Sequence, residues 1–351
     1  MFIIVAIINN RKRATGWSVM TAAALHRLKM MLILLVAGFG FMVPLPAAAD
    51  TGDFSRWLED FRTEARAAGI SEILLENAFA DIKEPLTRVI ELDRRQPETL
   101  QTSAEYVAAR VTPAKVKSGK QMLARYQTFL EEIERQYAVQ PRFLVALWGI
   151  ETHYGRNTGN FPVIQSLVTL AYDGRRSAYF RRELMQALRI LDAGHISLAR
   201  MRGSWAGAMG HCQFMPTTFL RHAVDADDDG RIDLWGSIPD ALASAANYLS
   251  KEMWRKDQTW GRPVELPAGF DPGSAGLDKR LPLTSWRGLG IRLPDGSSPL
   301  PGDREASLVM PDGPLGPAYL VYDNFRVLMR WNRSISFAIA VGTLADRIGA
   351  P

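Results

Sequence analysis

Glu151, in the stretch LWGIETHYGRNTG, is an acid where a core residue is expected. Leu144, Leu147 and Trp148 before it follow the i, i+3, i+4 spacing of a buried helical stripe, and Glu151 is the i+7 member of that series. Apolar neighbours disfavour an ionised carboxylate, and so does the negative end of a helix dipole. Both raise the pKa, and a carboxyl that stays protonated near neutrality can give its proton to a leaving oxygen as a general acid. Periodicity leaves two other readings open: an ion pair with His153 or Arg156, or a side chain turned outward at a frayed helix end.

The stretch GSWAGAMGHCQFMP sets Gly203, Gly207 and Gly210 beside Trp205, Met209 and Phe214. That makes a poor helix and a poor strand, so it reads as a loop whose backbone comes close to a ligand or to another segment. Ser204 and Gln213 can donate and accept hydrogen bonds there, which suits sugar hydroxyls and acetamido groups; a purely structural glycine-rich loop fits as well. Cys212 reads as a small buried residue and not a nucleophile. His211 makes no dyad with it, because adjacent side chains seldom face each other.

In VDADDDGRIDLWGSIPDA, Asp225, Asp227 and Asp229 alternate and Gly230 follows. This matches the first half of a calcium loop, with the Arg231 carbonyl as the next oxygen ligand. The second half departs from the pattern: Gly236 stands where a bidentate glutamate belongs. Asp240 is then the nearest closing ligand, unless it serves as an acid at a helix N-terminus capped by Ser237. The run could also be a solvated acidic turn, although three aspartates this close repel one another without a cation. Aromatic faces for sugar rings are offered by Tyr106, Tyr248, Trp331 and Phe337, with Asn332 beside the third, and each is as readily core. Arg175 and Arg176 can take a carboxylate such as a peptide or lactyl group, or stand as a solvated basic pair.

Helical spacing predicts the elements that hold these groups. Phe54 to about Ile82 and Pro113 to Tyr137 read as a helical N-terminal region; Phe143–Tyr154, opened by Pro141, Ala178–Leu191 and Ile238–Trp254 read as further helices. After Trp260 prolines and glycines become dense, and the runs TSWRGLGIRL, ASLVM and AYLVY read as a small β-rich insertion. Helical spacing returns from Phe325 through Ile348. The expected boundaries are 1–49, 50–137, 138–258, 259–323 and 324–351.

The 351 residues are 47% hydrophobic and 23% charged, ordinary globular composition with ample length for a core. Arg27 and Lys29 precede the apolar run MMLILLVAGFGFMV, then Pro-Leu-Pro and Ala47-Ala48-Ala49, the three parts of a cleaved export signal. The run is shorter than the ~20 residues of a spanning helix. Residues 1–49 carry five basic residues and no acid, so their removal takes the net charge from +5 to zero. Nucleic acid is therefore not an expected partner. No cysteine stands at the cleavage site, so no lipid anchor is expected, and Cys212, alone of its kind, can form no internal disulfide. A periplasmic protein held together by packing follows as the expectation.

Taken in order, GIETHYG, FPVIQSLVTLAYDGRRSAYF, GSWAGAMGHCQFMP, VDADDDGRIDLW with ALASAANYL, and RWNRS resemble the lytic murein transglycosylase B family over roughly Tyr106 to Ile348. The resemblance implies a mainly α (α+β) fold: a lysozyme-like helical core, an N-terminal helical region and a small inserted β subdomain. It also implies cleavage of the MurNAc–GlcNAc β-1,4 bond of peptidoglycan, leaving 1,6-anhydro-MurNAc ends. The family's single catalytic acid matches Glu151, and its cleft residues match Tyr106, Arg175, Arg176, Ser204, Gln213, Tyr248 and Asn332. Structural calcium matches Asp225, Asp227, Asp229, the Arg231 carbonyl and Asp240; no organic cofactor is implied. Some members carry tyrosines where this chain has Trp331 and Phe337, so the hydroxyls and any hydrogen bond they would make to the substrate are lost there, while the rings can still stack. A hydrolytic lysozyme on the same fold and a non-catalytic calcium-binding wall module are the competing readings.

Overall fold

The computed structural model describes residues 51–95, 101–297 and 304–350. The expected export signal, 1–49, lies outside the described residues. Among the described residues no helix is long and apolar enough to cross a membrane.

Six helices come first: α1 (Thr51–Ala67), α2 (Glu72–Phe79), α3 (Thr87–Arg94), α4 (Ser103–Arg110), α5 (Pro113–Arg125) and α6 (Gln127–Tyr137). The stretch from Phe54 to Ile82 is two helices and not one, because Gly69 takes φ +90° and turns the chain. The stretch from Pro113 to Tyr137 also divides, at Tyr126, whose ring leaves the helix line to pack edge-on against Trp148 at 5.9 Å. Local chemistry sets the starts: Thr102 and Glu105 form a capping box at α4, and Thr112 caps α5 with Pro113 behind it.

α7 (Pro141–Thr152) runs through the middle of the molecule, buried from Phe143 to Thr152. A two-residue pair, β1 (Phe161–Pro162) with β2 (Arg202–Gly203), brackets the packed helices α8 (Val163–Tyr172) and α9 (Ser177–Asp192). α8 shows no polar stripe because it is buried nearly all round, so periodicity did not reveal it. α10 (Pro216–His222) is short, and α11 (Ile238–Lys251) follows the acidic loop.

The insertion is an antiparallel sheet of β3 (Gly261–Val264), β4 (Leu281–Pro282), β5 (Glu305–Val309) and β6 (Ala318–Val321), ordered β3-β6-β5-β4. TSWRGLGIRL is not a strand here. Its first part forms α12 (Leu283–Gly288), which drives the fully buried Trp286 onto the sheet, and Trp286 Nε1 donates to Ala306 O at 3.0 Å. The sheet and α12 enclose a small core of their own, including Val264, Trp286, Leu308 and Leu320.

α13 (Asp323–Trp331) and α14 (Ile335–Gly349) close the chain. α14 packs on α4, α5 and α7, so the last helix braces the central one. One apolar cluster joins Phe61 of α1, Leu144 of α7, Leu188 of α9, Leu242 of α11 and Val341 of α14. Phe337 belongs to that cluster, 1% exposed; a sugar-stacking role for it is overturned, because its ring faces the core.

Candidate active site

Glu151 sits in the last turn of α7, 6% exposed. The helix stops two residues on, where His153, Tyr154 and Gly155 take φ values of 55°, 60° and 81° in succession. Left-handed backbone at two non-glycine residues costs energy, and tertiary bonds hold it. Tyr154 Oη donates to Lys115 O at 2.8 Å, Thr152 Oγ1 donates to His211 O at 3.0 Å, and Gly155 N donates to Thr152 Oγ1 at 3.1 Å. Gly155 is needed for space as well as for φ, since a Cβ there would run into the His211 ring.

No ion pair reaches Glu151 among the described residues, so neither His153 nor Arg156 partners it. Its hydrogen-bond donor is Trp331, whose Nε1 lies 2.8 Å from Oε1. The surrounding wall is apolar, with Leu144, Leu147, Trp148 and Ala245 lining a small cavity beside the carboxyl. Burial pushes the Glu151 pKa up to about 8, and the Trp331 hydrogen bond pulls the other way. Tyr106 feels the same charge. Its hydroxyl pKa is pushed up to about 12 by burial first, with Arg110, 3.5 Å over its ring, lowering it and Glu151 raising it.

The glycine-rich loop wraps the end of α7. Trp148 Nε1 donates to His211 Nδ1 at 2.9 Å, and burial holds the His211 pKa below its ordinary value, so this ring is a neutral acceptor. Cys212 Sγ donates to Ala241 O, and burial raises its thiol pKa; it is no nucleophile, and no dyad with His211 forms. Ser204 Oγ accepts from Ala206 N and Ala208 N at 3.3 and 3.0 Å, which leaves its proton to donate. Gln213, at φ 52°, gives both amide protons to the carbonyls of Thr158 and Gly210 at 3.0 Å each. Only its Oε1 remains, so Gln213 can accept from a ligand and not donate.

Around Glu151 the rings of Phe214, Tyr248 and Trp331 meet. Tyr248 stands edge-on to Trp331 at 4.9 Å, and Phe214 is 5.3 Å from Trp331. Burial pushes the Tyr248 hydroxyl pKa up to about 12. Asn332, 7% exposed, follows Trp331 at the end of α13. Arg175 and Arg176 share a partner the sequence did not suggest. Both bond the carboxylate of Asp93, which is 1% exposed on α3, while the Arg175 side chain stays 53% exposed.

In the acidic loop, oxygens of Asp225, Asp227 and Asp229 lie within 4.8 Å of one another. Hard oxygen donors with Gly230 at φ +87° fit calcium better than a softer ion. Asp240 is put to another use than closing that set. Its two oxygens accept from Ala226 N at 2.8 Å and Asp233 N at 2.7 Å, so it pins both sides of the loop to the start of α11. Ser237 caps α11 and its hydroxyl donates to Asp227 Oδ2 at 2.7 Å. Asp233 was not singled out from the sequence; it accepts from Trp235 N and Gly236 N and pairs with Arg200. Lys115 also went unnoticed: it is 5% exposed, and burial followed by the nearby Arg110 charge pulls its pKa down to about 8.

The family model described as the transglycosylase SLT domain matches residues 53–346. The chain belongs to the transglycosylase SLT domain family. Membrane-bound lytic murein transglycosylase B of Escherichia coli (strain K12) is 32% identical over 242 residues, 68% of this chain. The chain spans 65% of the length of that curated relative. The SLT-domain fold is likewise similar to crystal structures of SltB3 from Pseudomonas aeruginosa, one of them in complex with NAG-NAM-pentapeptide. That structure has a TM-score of 0.82 and 44% identity, covering 85% of this chain and 80% of that one. It is also similar to Escherichia coli Slt35 in complex with calcium, with a TM-score of 0.71 and 27% identity, covering 83% of this chain and 92% of that one. The mainly helical, lysozyme-like architecture expected from the motifs is thus the family's own.

Proposed function

We propose that this chain is a peptidoglycan lytic transglycosylase that cleaves the MurNAc–GlcNAc β-1,4 bond and leaves 1,6-anhydro-MurNAc ends. The observation that carries this reading is the solitary buried Glu151, held protonated at neutral pH, with no second carboxylate lining its cavity among the described residues. Glycosidases that use water or a covalent intermediate need two carboxylates. With one, the economical course is intramolecular. Protonated Glu151 gives its proton to the glycosidic oxygen as the C1–O4 bond breaks. Its carboxylate then takes the proton from the substrate's own 6-hydroxyl as O6 bonds to C1, so no water enters. The complex of Pseudomonas aeruginosa SltB3 with NAG-anhNAM-pentapeptide, a relative of 45% identity, supports the same product class.

Ser204 donates to, and Gln213 Oε1 accepts from, the acetamido and neighbouring groups. Tyr248, Tyr106 and Trp331 bound the sugar ring, Asn332 hydrogen-bonds at its edge, and the unused donors of Arg175 and Arg176 meet a stem-peptide carboxylate. Calcium is held by Asp225, Asp227, Asp229 and the Arg231 carbonyl, where it stiffens the loop ahead of the helix that carries Tyr248. Export through the segment 1–49 delivers the enzyme to the periplasm. There 138–258 and 324–351 form its catalytic core, 50–137 its N-terminal helical region and 259–323 its inserted subdomain.

Digestion of purified peptidoglycan followed by mass spectrometry tests the reaction. Products lighter by one water are expected from the wild type, and none from Glu151→Gln. Hydrated products alone would assign a lysozyme on the same fold.

A further inference from the structure

We propose that Trp331 is a positioning residue that decides which oxygen of Glu151 carries the catalytic proton, so that the same oxygen, Oε2, both gives and retrieves it. This rests on the assignment of Glu151 as acid and then base. The observations are the 2.8 Å hydrogen bond from Trp331 Nε1 to Oε1 and the burial of Glu151, 6% exposed, which leaves Oε2 as the oxygen without that donor. An indole N–H donates and cannot accept. In the protonated acid, therefore, Oε1 must be the carbonyl oxygen, and the O–H lies on Oε2.

The bond also outlasts the first proton transfer, since a carboxylate accepts from the indole more strongly than the neutral acid does. Glu151 cannot rotate without breaking it. Oε2 thus stays aimed at the reaction centre when the 6-hydroxyl loses its proton, and two transfers share one line of approach. A tyrosine at this place, as some family members carry, both donates and accepts and leaves the choice of oxygen open. The indole is itself fixed: Tyr248 abuts it edge-on at 4.9 Å, and Phe214 lies at 5.3 Å.

The titratable groups facing Glu151 are Tyr106 from α4 and Cys212 and His211 from the glycine-rich loop. Tyr248 on α11 meets the indole, Phe214 and the His222 ring. None of these supplies a competing hydrogen bond to the carboxyl. Loss of a hydrogen bond to a charged group should raise the Glu151 pKa by about one to two units.

The test uses Trp331→Phe and Trp331→Tyr in the whole chain. First, with 15N-labelled tryptophan, the indole resonance that disappears in Trp331→Phe is followed against pH in the absence of substrate. It is expected to shift with one midpoint near that of Glu151 and to stop shifting in Glu151→Gln. A resonance indifferent to pH, or one that still titrates in Glu151→Gln, overturns the proposal whether or not the enzyme cleaves peptidoglycan. Second, in turnover, Trp331→Phe is expected to lower kcat about tenfold or more at little change in KM, and to move the alkaline limb of the pH profile upward. Trp331→Tyr should restore part of the rate. A rise in KM with an unmoved pH profile would make Trp331 a stacking surface and nothing more. Absence of any activity in the wild type would fell the functional reading, and the resonance titration would still decide the hydrogen-bond claim.

Discussion

At the scale of single residues, the fold favours the neutral form of Glu151, and this has a measurable cost. A free glutamate titrates near ~4.3, whereas burial holds Glu151 at about 8. Below the lower value both folded and unfolded chains are protonated. Between the two the unfolded chain loses its proton and the folded chain keeps it, so stability falls as pH rises through that window and levels off above about 8. Glu151→Gln removes this dependence while keeping the shape. The variant should melt roughly 5 °C above the wild type at pH 7 and level with it near pH 4, as scanning calorimetry would read. A variant that melts lower at every pH would mean that the carboxyl is not held neutral. The acid itself was legible, because an ionisable group on an apolar stripe breaks a pattern. Its donor was not, since Trp331 lies 180 positions away and reads as another aromatic. Nor could spacing tell that Gln213 spends both amide protons on backbone carbonyls, or that Arg175 and Arg176 converge on Asp93.

At the scale of elements, the decisive joint is the end of α7. The helix start was readable from Pro141, and its expected end at Tyr154 lies two residues beyond the true stop at Thr152. What could not be read was the left-handed run at His153, Tyr154 and Gly155, because Tyr154 is tied to Lys115 O and Gly155 abuts the His211 ring, both distant in sequence. Amphipathic helices such as α9 and α11 were legible; α8, buried all round, and α12, hidden in a Gly-rich run, were not. Gly155→Ala should cost about 2–4 kcal/mol in chemical denaturation, combining a strained φ with a Cβ aimed at His211. It should also break the Trp148–His211 hydrogen bond and so lower activity even where the variant is fully folded, assayed well below its melting point. The acidic loop divides by role in the same way. Asp227→Asn should abolish a calcium-dependent rise in Tm and leave the chelator-treated protein nearly unchanged, because among the described residues its carboxylate bonds the Ser237 hydroxyl alone. Asp240→Asn should lose about 1–3 kcal/mol even in chelator, since an amide cannot accept from Ala226 N and Asp233 N together. Equal chelator-resistant losses in both variants would refute this division.

At the scale of the whole molecule, the N-terminal helices could have been an appendage, and their contacts argue otherwise. α1 and α3 pack on α8, α2 packs on α9, and α4 packs on α14, so residues before the central helix and residues at the far end of the chain cover the same core. Polar ties follow the same lines: Ser71 Oγ donates to Asp192 at 2.7 Å, Leu86 N donates to Thr169 Oγ1 at 2.9 Å, and Asp93 holds Arg175 and Arg176. The small sheet differs on one face, where Val264, Leu308 and Leu320 join Leu283 and Trp286 of α12 in a cluster of their own, while Val309 and Val321 belong to the main core. Cooperative units usually follow shared cores. Hydrogen exchange should therefore find α1 and α3 opening together with α8, with similar protection, while β4 and α12 open earlier and independently. Asp93→Ala leaves two arginines without their buried acceptor, softened by their partial exposure, and should lower stability by about 1–3 kcal/mol. The loss should fall on α3 and α8 alike. If exchange in α3 rose alone while α8 kept its protection, the N-terminal helices would be a separate unit docked on the catalytic body, and the shared core would carry no cooperativity across that boundary.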